Sequence, residues 1–236
     1  MRIGIMQPYF FPYIGYFQLI KSVDRFILFD DVQYIRHGWI NRNRILKPGE
    51  GWQFIITPLQ KHKQVELIRD VKLAENDDWK KKIIRQIEHY NVKAKYYNEL
   101  IQLLNNCFDI KDTSVVKFNA RCIEMVCEYL SIPFKVEISS EMNFDYSNVK
   151  SPDEWALRMC EQLKGEEYIN PSGGMEFFDK TKFENSNIKL TFFSPSLTPY
   201  NQKRQGFEHG LSIIDVLMFN GPEITRQMID KFEASN

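Results

Sequence analysis

Two short apolar runs with a helix-length segment between them open the chain, and they constrain its fold more than any other feature. Arg2–Met6 (RIGIM) is stopped by Gln7-Pro8, and Arg25–Asp31 (RFILFDD) ends on two acids. Between them, Tyr13–Ser22 (YIGYFQLIKS) places Ile14, Phe17 and Ile20 or Lys21 near helical spacing. Apolar runs of this length, bounded by turn residues, read as buried strands. A strand–helix–strand unit crosses over with one hand almost always and leaves its two strands parallel.

The rest of the chain repeats the alternation after an interruption. Val32–Gly51 is polar and basic and reads as a loop or ribbon, broken at Gly49-Glu50-Gly51. Trp52–Thr57 reads as a strand, and Val65–Leu73 alternates weakly enough to be a candidate partner for it. A helical middle follows: Asp77–His89 capped by Asn76, Tyr96–Phe108, and Val115–Leu130 capped by Ser114. Phe134–Ile138 (FKVEI) reads as the third core strand. Ser151-Pro152-Asp153-Glu154 reads as a helix start, with Ser at the cap, Pro at the first position and Glu three residues on. Tyr168–Asn170 is the fourth core strand, Glu176–Phe183 a short helix, and Ile188–Phe193 the fifth strand. Ile213–Phe219 and Pro222–Phe232 close the chain as helices separated by Asn220-Gly221. These elements predict an α/β domain over 1–236 with a doubly wound, mostly parallel five-stranded sheet. A helical insertion at about 45–131 separates its second and third strands.

Composition excludes several classes. In 236 residues, 31 Lys+Arg balance 31 Asp+Glu, and hydrophobic residues make up 43%. A disordered chain needs low hydrophobicity or high net charge. A nucleic-acid binder usually carries a basic excess, so no broad nucleic-acid surface is expected. No window approaches a membrane span, and MRIGIMQPYF holds no run long enough for a signal peptide. Cys107, Cys122, Cys127 and Cys160 match neither zinc nor CxxC spacing and read as free buried thiols, consistent with a cytoplasmic location. His37, His62, His89 and His209 are scattered, with no HxxH or HExxH spacing, so no zinc site is expected.

In an open parallel sheet, ligands bind outside the carboxyl ends of strands, where strand order reverses. With the first strand central, the loops after the first and fourth strands meet there. QPYFFPYIGY (Gln7–Tyr16) brings Tyr9, Tyr13 and Tyr16 together beside Gly15, and Pro171-Ser172-Gly173-Gly174 offers backbone N–H groups to an anion. Core packing accounts for the aromatic loop equally, although its prolines hold the backbone open. Three further groups are candidates. Asp30-Asp31, followed by Gln33 and Tyr34, can bind a metal, a sugar hydroxyl or an amine. RHGWINRNRILK (Arg36–Lys47) has four Arg/Lys and no acid. On a strand its Asn41 and Asn43 face one side, and Arg42 and Arg44 face the other, two guanidinium forks suited to phosphate or carboxylate. Ser139 and Ser140 can contact a phosphate or cap a turn, and Tyr200 and Gln202 can line the site. Ser212 with Asp215 reads as a capping box with Asp in place of Glu.

MQPYFFPYIGYFQLI, DRFILFDDVQY, WINRNRI, the Ser139-Ser140 pair, the stretch from Tyr168 to Gly174 and LSIIDVLMFNG together resemble the WbqC-like family, from Met6 to Gly221. The resemblance implies a bacterial protein of O-antigen, lipopolysaccharide or other surface-polysaccharide gene clusters. One reaction consistent with it is an amide-forming acyl or aminoacyl transfer to an amino sugar. A more distant likeness is to the His-x-Gly-His turn of nucleotidyltransferases, whose sheet is five-stranded and of HUP type. Tyr13 and Tyr16 stand where that pattern has histidines, and Gly15 matches its glycine. Tyrosine is a neutral donor there.

Three functions follow. The first is a cytoplasmic transferase acting on a small anionic, sugar-linked substrate, using a nucleotide or activated acyl donor. Its catalytic residues would be Asp31 with Asp30 as base or amine anchor, and Tyr13 and Tyr16 as orienting groups. Gln7, Tyr9, Gly15, Gln33, Tyr34, Asn41, Arg42, Arg44, Ser139, Ser140, Ser172, Gly173, Gly174 and Tyr200 would bind substrate. The second is nucleotidyl transfer with ATP or CTP and magnesium. The third is a non-catalytic ligand-binding or assembly protein. Two adjacent acids suit a hard cation but do not by themselves make a site.

Overall fold

A computed structural model describes residues 1–76, 78–231 and, for the main chain alone, 233–235. Strand β1 (Arg2–Met6), helix α1 (Ile14–Ser22) and strand β2 (Arg25–Leu28) form the expected unit, with β1 and β2 parallel and Ile3 opposite Arg25. A two-stranded ribbon follows, β3 (Arg42–Leu46) and β4 (Trp52–Ile56). Helices α2 (Asp78–Ile87), α3 (Tyr97–Phe108) and α4 (Val115–Tyr129) make the helical middle. Then come α5 (Glu154–Gln162), β5 (Glu167–Pro171), α6 (Lys180–Asn185), β6 (Lys189–Ser194), α7 (Ile213–Ile229) and β7 (Glu233–Ser235).

The main sheet has the order β2-β1-β5-β6-β7. Its first four strands are mutually parallel, and β7 pairs antiparallel to β6. Strand order reverses between β1 and β5, because β1 is followed by β2 on one side and β5 by β6 on the other. Alternation along β1 sends its side chains to two separate cores. Ile3 and Ile5 join Ile27, Leu157, Cys160, Tyr168 and Phe183 on one face. The opposite face carries Phe26 and Leu28 into a larger cluster that runs through Phe17 to Phe118, Ile123 and Leu217. That cluster includes residues of the sheet side and of the helical middle alike. All four cysteines are free and buried. Among the described residues no helix is long and apolar enough to cross a membrane.

Several expectations need correction. Phe134–Ile138 is not a regular strand. It lies against the outer edge of β2 with one parallel bridge, Leu28 to Ile138, and a hydrogen bond from Leu28 N to Glu137 O of 2.8 Å. A partner on one side only leaves the segment too short to propagate a ladder, so the parallel sheet has four strands rather than five. Trp52–Thr57 pairs with Arg42–Leu46, not with Val65–Leu73, which folds around a 3-10 turn at Ile68–Asp70. Helix α5 starts at Glu154 rather than after Ser151. The Glu154 carboxylate accepts from Lys150 N and lies 2.9 Å from Lys182, and Ser151 donates to Asp153 instead of capping. The short helix expected at Glu176 begins at Lys180, where Asp179 caps it.

Other signals hold locally. Asn76 Oδ1 accepts from Asp78 N at 2.7 Å, and Ser114 Oγ from Lys117 N at 3.3 Å. The expected first residue of the former helix, Asp77, and the expected last residue of the closing one, Phe232, lie outside the described residues. The break at Asn220-Gly221 is real: α7 kinks at Gly221, which has φ 66°. A Cβ there would meet the Tyr96 ring at 2.4 Å, so both conformation and space require glycine.

Candidate functional site

The reversal point holds a pocket of about 290 Å³. Met6 at the end of β1 and Pro171 at the end of β5 form its base. Tyr9, Pro12 and Tyr13 from the loop after β1, Trp39, Asn43 and Arg44 from the ribbon, and Leu197 and Gly210 complete it. The loop after β1 therefore meets the end of β5, with the ribbon laid across them.

The loop after β1 is irregular backbone, and its carbonyls need donors. Side-chain amides from distant elements supply them. Asn119 on α4 is fully buried and donates from Nδ2 to Pro8 O at 2.8 Å and Ile40 O at 2.7 Å. Asn43 on β3 donates to Phe10 O at 2.9 Å and Phe11 O at 2.8 Å, and Ser212 Oγ to Phe11 O at 2.7 Å. Phe11 itself has φ 38°, a left-handed conformation that costs a non-glycine residue on the order of 1 kcal/mol. Two donors on its carbonyl hold it there. Tyr16 is buried, donates to Gln7 O at 2.9 Å, and lies 5.8 Å from the Tyr9 ring. Gly15 sits under Tyr13: a Cβ would meet that ring at 2.5 Å and Pro195 at 2.6 Å. The pocket wall is thus built rigidly before any ligand arrives. Asn119→Ala leaves two buried carbonyls without donors, and we expect it to cost roughly 2–4 kcal/mol, read as a lowered denaturation midpoint at unchanged m-value.

Arg44 is the pocket's one cation among the described residues. Its guanidinium carbon lies 5.6 Å from the Trp39 ring centre and 5.2 Å from that of Trp52. Nη2 donates to Gly210 O at 3.1 Å; Gly210 has φ 62°, which favours glycine, and a Cβ there would stand 3.3 Å from Nη2. Nε is buried without a partner. Nη1 makes no hydrogen bond among the described residues. Burial raises the pKa of Tyr9 and Tyr13, so both stay neutral donors. Among the described residues the pocket lining contains no carboxylate, imidazole or thiol. Chemically it offers aromatic faces, one fixed positive charge, and phenol and amide donors.

Only some expected site residues gather here. Tyr9, Tyr13 and Arg44 line the pocket, with Gly15 beneath. Ser172, Gly173 and Gly174 form a single 3-10 turn directly after Pro171, outside the lining. The alternation on β3 holds, since Asn43 is buried and Arg42 and Arg44 are half-buried, yet the two arginines part company. Arg42 donates from Nε to Gly38 O at 3.2 Å and from Nη2 to His37 O, and lies 4.2 Å from the Phe54 ring centre, outside the pocket lining. Tyr34 donates to Asn41 Oδ1 at 2.9 Å, Asn41 Nδ2 to Thr57 O, and Gln33 Nε2 to Gln64 O, all bonds within the protein. Gln7 contributes its carbonyl to Tyr16. Tyr16 has no free hydroxyl to orient a substrate.

Asp30 and Asp31 form a separate polar cluster at the end of β2. Asp30 is buried and accepts from Ser139 Oγ at 2.8 Å, Ser140 N at 3.0 Å and Ser140 Oγ at 2.7 Å. Asp31 accepts from Arg69 Nη1 at 2.6 Å and Tyr146 Oη at 3.1 Å. Their oxygens are already engaged, which does not fit a magnesium site, and among the described residues no three His, Cys, Asp or Glu side chains gather for a metal. Tyr200 donates to Asp215 beside a cavity of only about 20 Å³. Ser212 does cap α7 through Ile214 N, but the Asp215 carboxylate turns inward to Tyr90 and Tyr200 instead of completing a capping box. The lining residues not named as site residues from sequence are Met6, Pro12, Trp39, Asn43, Pro171, Leu197 and Gly210. For Asn43 the alternating Asn-Arg-Asn-Arg was the available signal.

The comparisons agree with the motifs. The model of the WbqC-like protein family matches residues 7–227. The uncharacterized protein Rv1507c of Mycobacterium tuberculosis is 32% identical over 225 residues, covering 94% of this chain and 95% of that protein. No solved structure matches. With the matched region spanning nearly the whole chain, the protein belongs to the WbqC-like family.

Proposed function

We propose that this protein is a transferase of surface-polysaccharide biosynthesis that binds a small anionic, sugar-linked substrate in the pocket between β1 and β5. Family membership supports the polysaccharide setting. The observation that carries the substrate class is Arg44, a guanidinium within cation–π distance of two tryptophans and with Nη1 uncommitted among the described residues, at the strand ends where an open parallel sheet places its ligand. Aromatic faces suit the C–H surface of a sugar ring or a planar base, and the fork suits a phosphate or carboxylate. Tyr13 and Tyr9 orient the reacting group, and an acyl or aminoacyl donor to an amino sugar is the transfer we favour. Asp30 and Asp31 act here as positioning residues, holding the 139–141 and 68–70 turns against β2.

One observation favours a second reading, a non-catalytic ligand-binding protein: no lining side chain is a ready general base. Nucleotidyl transfer has less support, because the Tyr16 hydroxyl is committed to Gln7 O. A thermal-shift screen against nucleotides, nucleotide-sugars and acyl-CoA separates these. A ligand at a hundredfold its Kd raises stability by about 2.7 kcal/mol. Stabilisation by a nucleotide-sugar or acyl-CoA, followed by turnover with an amino-sugar acceptor, supports transfer. Stabilisation without turnover supports binding alone, and pyrophosphate release with ATP or CTP supports nucleotidyl transfer.

A further inference from the structure

A second cavity of about 290 Å³ lies at the far end of the ribbon, where no proposed role reaches. Three segments distant in sequence build it: the β3–β4 turn with Lys47, Pro48 and Gly49, the 3-10 turn after α2 with His89, Tyr90 and Lys93, and the 200–210 loop with Arg204. Four nitrogen bases or cations, Lys47, His89, Lys93 and Arg204, line it, and among the described residues no acidic side chain does.

The turn is held in shape. Gly49 and Gly51 have φ 82° and 74°, and their carbonyls accept from the two terminal nitrogens of Arg204. That fixes the guanidinium at the cavity wall. A Cβ on Gly51 would stand 3.6 Å from Lys47 Nζ, which places the ammonium against the same turn. The His89 ring centre lies 4.4 Å from that of Tyr90 at a tilt of 41°, and its Nδ1 lies 2.9 Å from Gln86 O, which accepts and so fixes the proton on Nδ1. Nε2 is left as a buried acceptor with no partner. An unsatisfied buried group of this kind invites an explanation.

We propose that this cavity is a second ligand site, taking a phosphomonoester whose phosphate sits between Lys47 and Lys93 beside His89, with Arg204 adding its charge from the wall. Pro48, Val92 and Phe219 give room for an attached apolar or ring portion that inorganic phosphate alone would not fill. Without ligand, burial first, and then Lys93 and Arg204, hold the His89 pKa below its ordinary value. The Gln86 carbonyl from α2 opposes them. A dianion in the cavity reverses the sign, because it favours the imidazolium, whose new proton occupies Nε2.

The test is ring-proton NMR of the four histidines in the full chain during titration with inorganic phosphate, a nucleoside monophosphate and a hexose phosphate at constant ionic strength. The expected result is a saturable shift of His89 alone, with its pKa raised. Lys47→Ala with Lys93→Ala, both at exposed positions, should weaken binding at least tenfold without lowering the melting temperature. Tighter binding of one ester than of the other, or of both over phosphate, identifies what the apolar wall reads. No saturable shift with any of the three, equal shifts at His37, His62 and His209, or binding unchanged in the double variant overturns the proposal.

Discussion

Replacing Asp215 by alanine is expected to destabilise the fold by roughly 2–5 kcal/mol, whereas Asp215→Asn is expected to be near neutral at pH 7. Asp215 is fully buried on α7 and accepts hydrogen bonds from Tyr90 and Tyr200, with Leu46 N in turn donating to the Tyr90 oxygen at 2.9 Å. Alanine removes the acceptor of both phenol O–H groups, Tyr90 buried and Tyr200 part-buried. Asparagine keeps an acceptor and removes the charge. Burial raises the Asp215 pKa to about 6, against the hydrogen bonds from Tyr200 and Tyr90 that lower it. An acid whose folded pKa lies above its unfolded value costs stability once both states are at higher pH. Its contribution is therefore greatest below about pH 4 and is lost as pH rises to about 6, a change on the order of 3 kcal/mol. Urea denaturation at pH 4 and pH 7 checks the sign: the difference between wild type and Asp215→Asn should shift toward the variant at pH 7. The same network joins the ribbon to α7, so its loss should also loosen the strand that carries Arg44.

Arg44→Ala is expected to weaken substrate binding by roughly 10- to 150-fold, the equivalent of about 1.5–3 kcal/mol for a hydrogen bond to a charged group. Arg44→Lys should recover only part of this, because an ammonium keeps the charge but not the planar fork that faces Trp39 and Trp52. Arg42→Ala is the matched control. Arg42 is two residues away on the same face of β3, yet its fork is committed to the His37 and Gly38 carbonyls. Its loss should change affinity less than twofold. A large effect at Arg42 with none at Arg44 would reverse the assignment that geometry makes between them.

The sheet was legible where chemistry is local. RIGIM, RFIL and IKLTFF are apolar runs closed by turn residues, and their parallel pairing follows from the helices between them. FKVEI reads as a strand with equal force, but propagating a ladder depends on what the neighbouring edge offers, and no local pattern encodes that. The ribbon was half visible. Asn-Arg-Asn-Arg announces alternation, but the partner strand Trp52–Ile56 is fixed by the turn at Gly49 and Gly51 rather than by its own pattern. At the site, the aromatic loop was legible as a loop and its place followed from strand order. Which tyrosine faces the pocket was not, since Tyr16 lies on the buried side of α1 and Tyr13 precedes the helix. Asp30-Asp31 illustrates the limit most clearly. Adjacent acids at a strand end suggest chemistry, and here their oxygens are taken up by Ser139, Ser140, Arg69 and Tyr146, all from turns far along the chain.

The central claim is that Arg44 and the aromatic wall at the ends of β1 and β5 bind the substrate. Trp39 is 37% exposed and lines that pocket, so its share of the emission from four tryptophans changes with occupancy. Titrating wild type, Arg42→Ala and Arg44→Ala with the nucleotide-sugar or acyl-CoA that stabilises the protein most gives the decisive comparison. A saturable change in wild type and Arg42→Ala that moves to at least tenfold higher concentration in Arg44→Ala is predicted. Saturable binding with the same midpoint in all three proteins would contradict it.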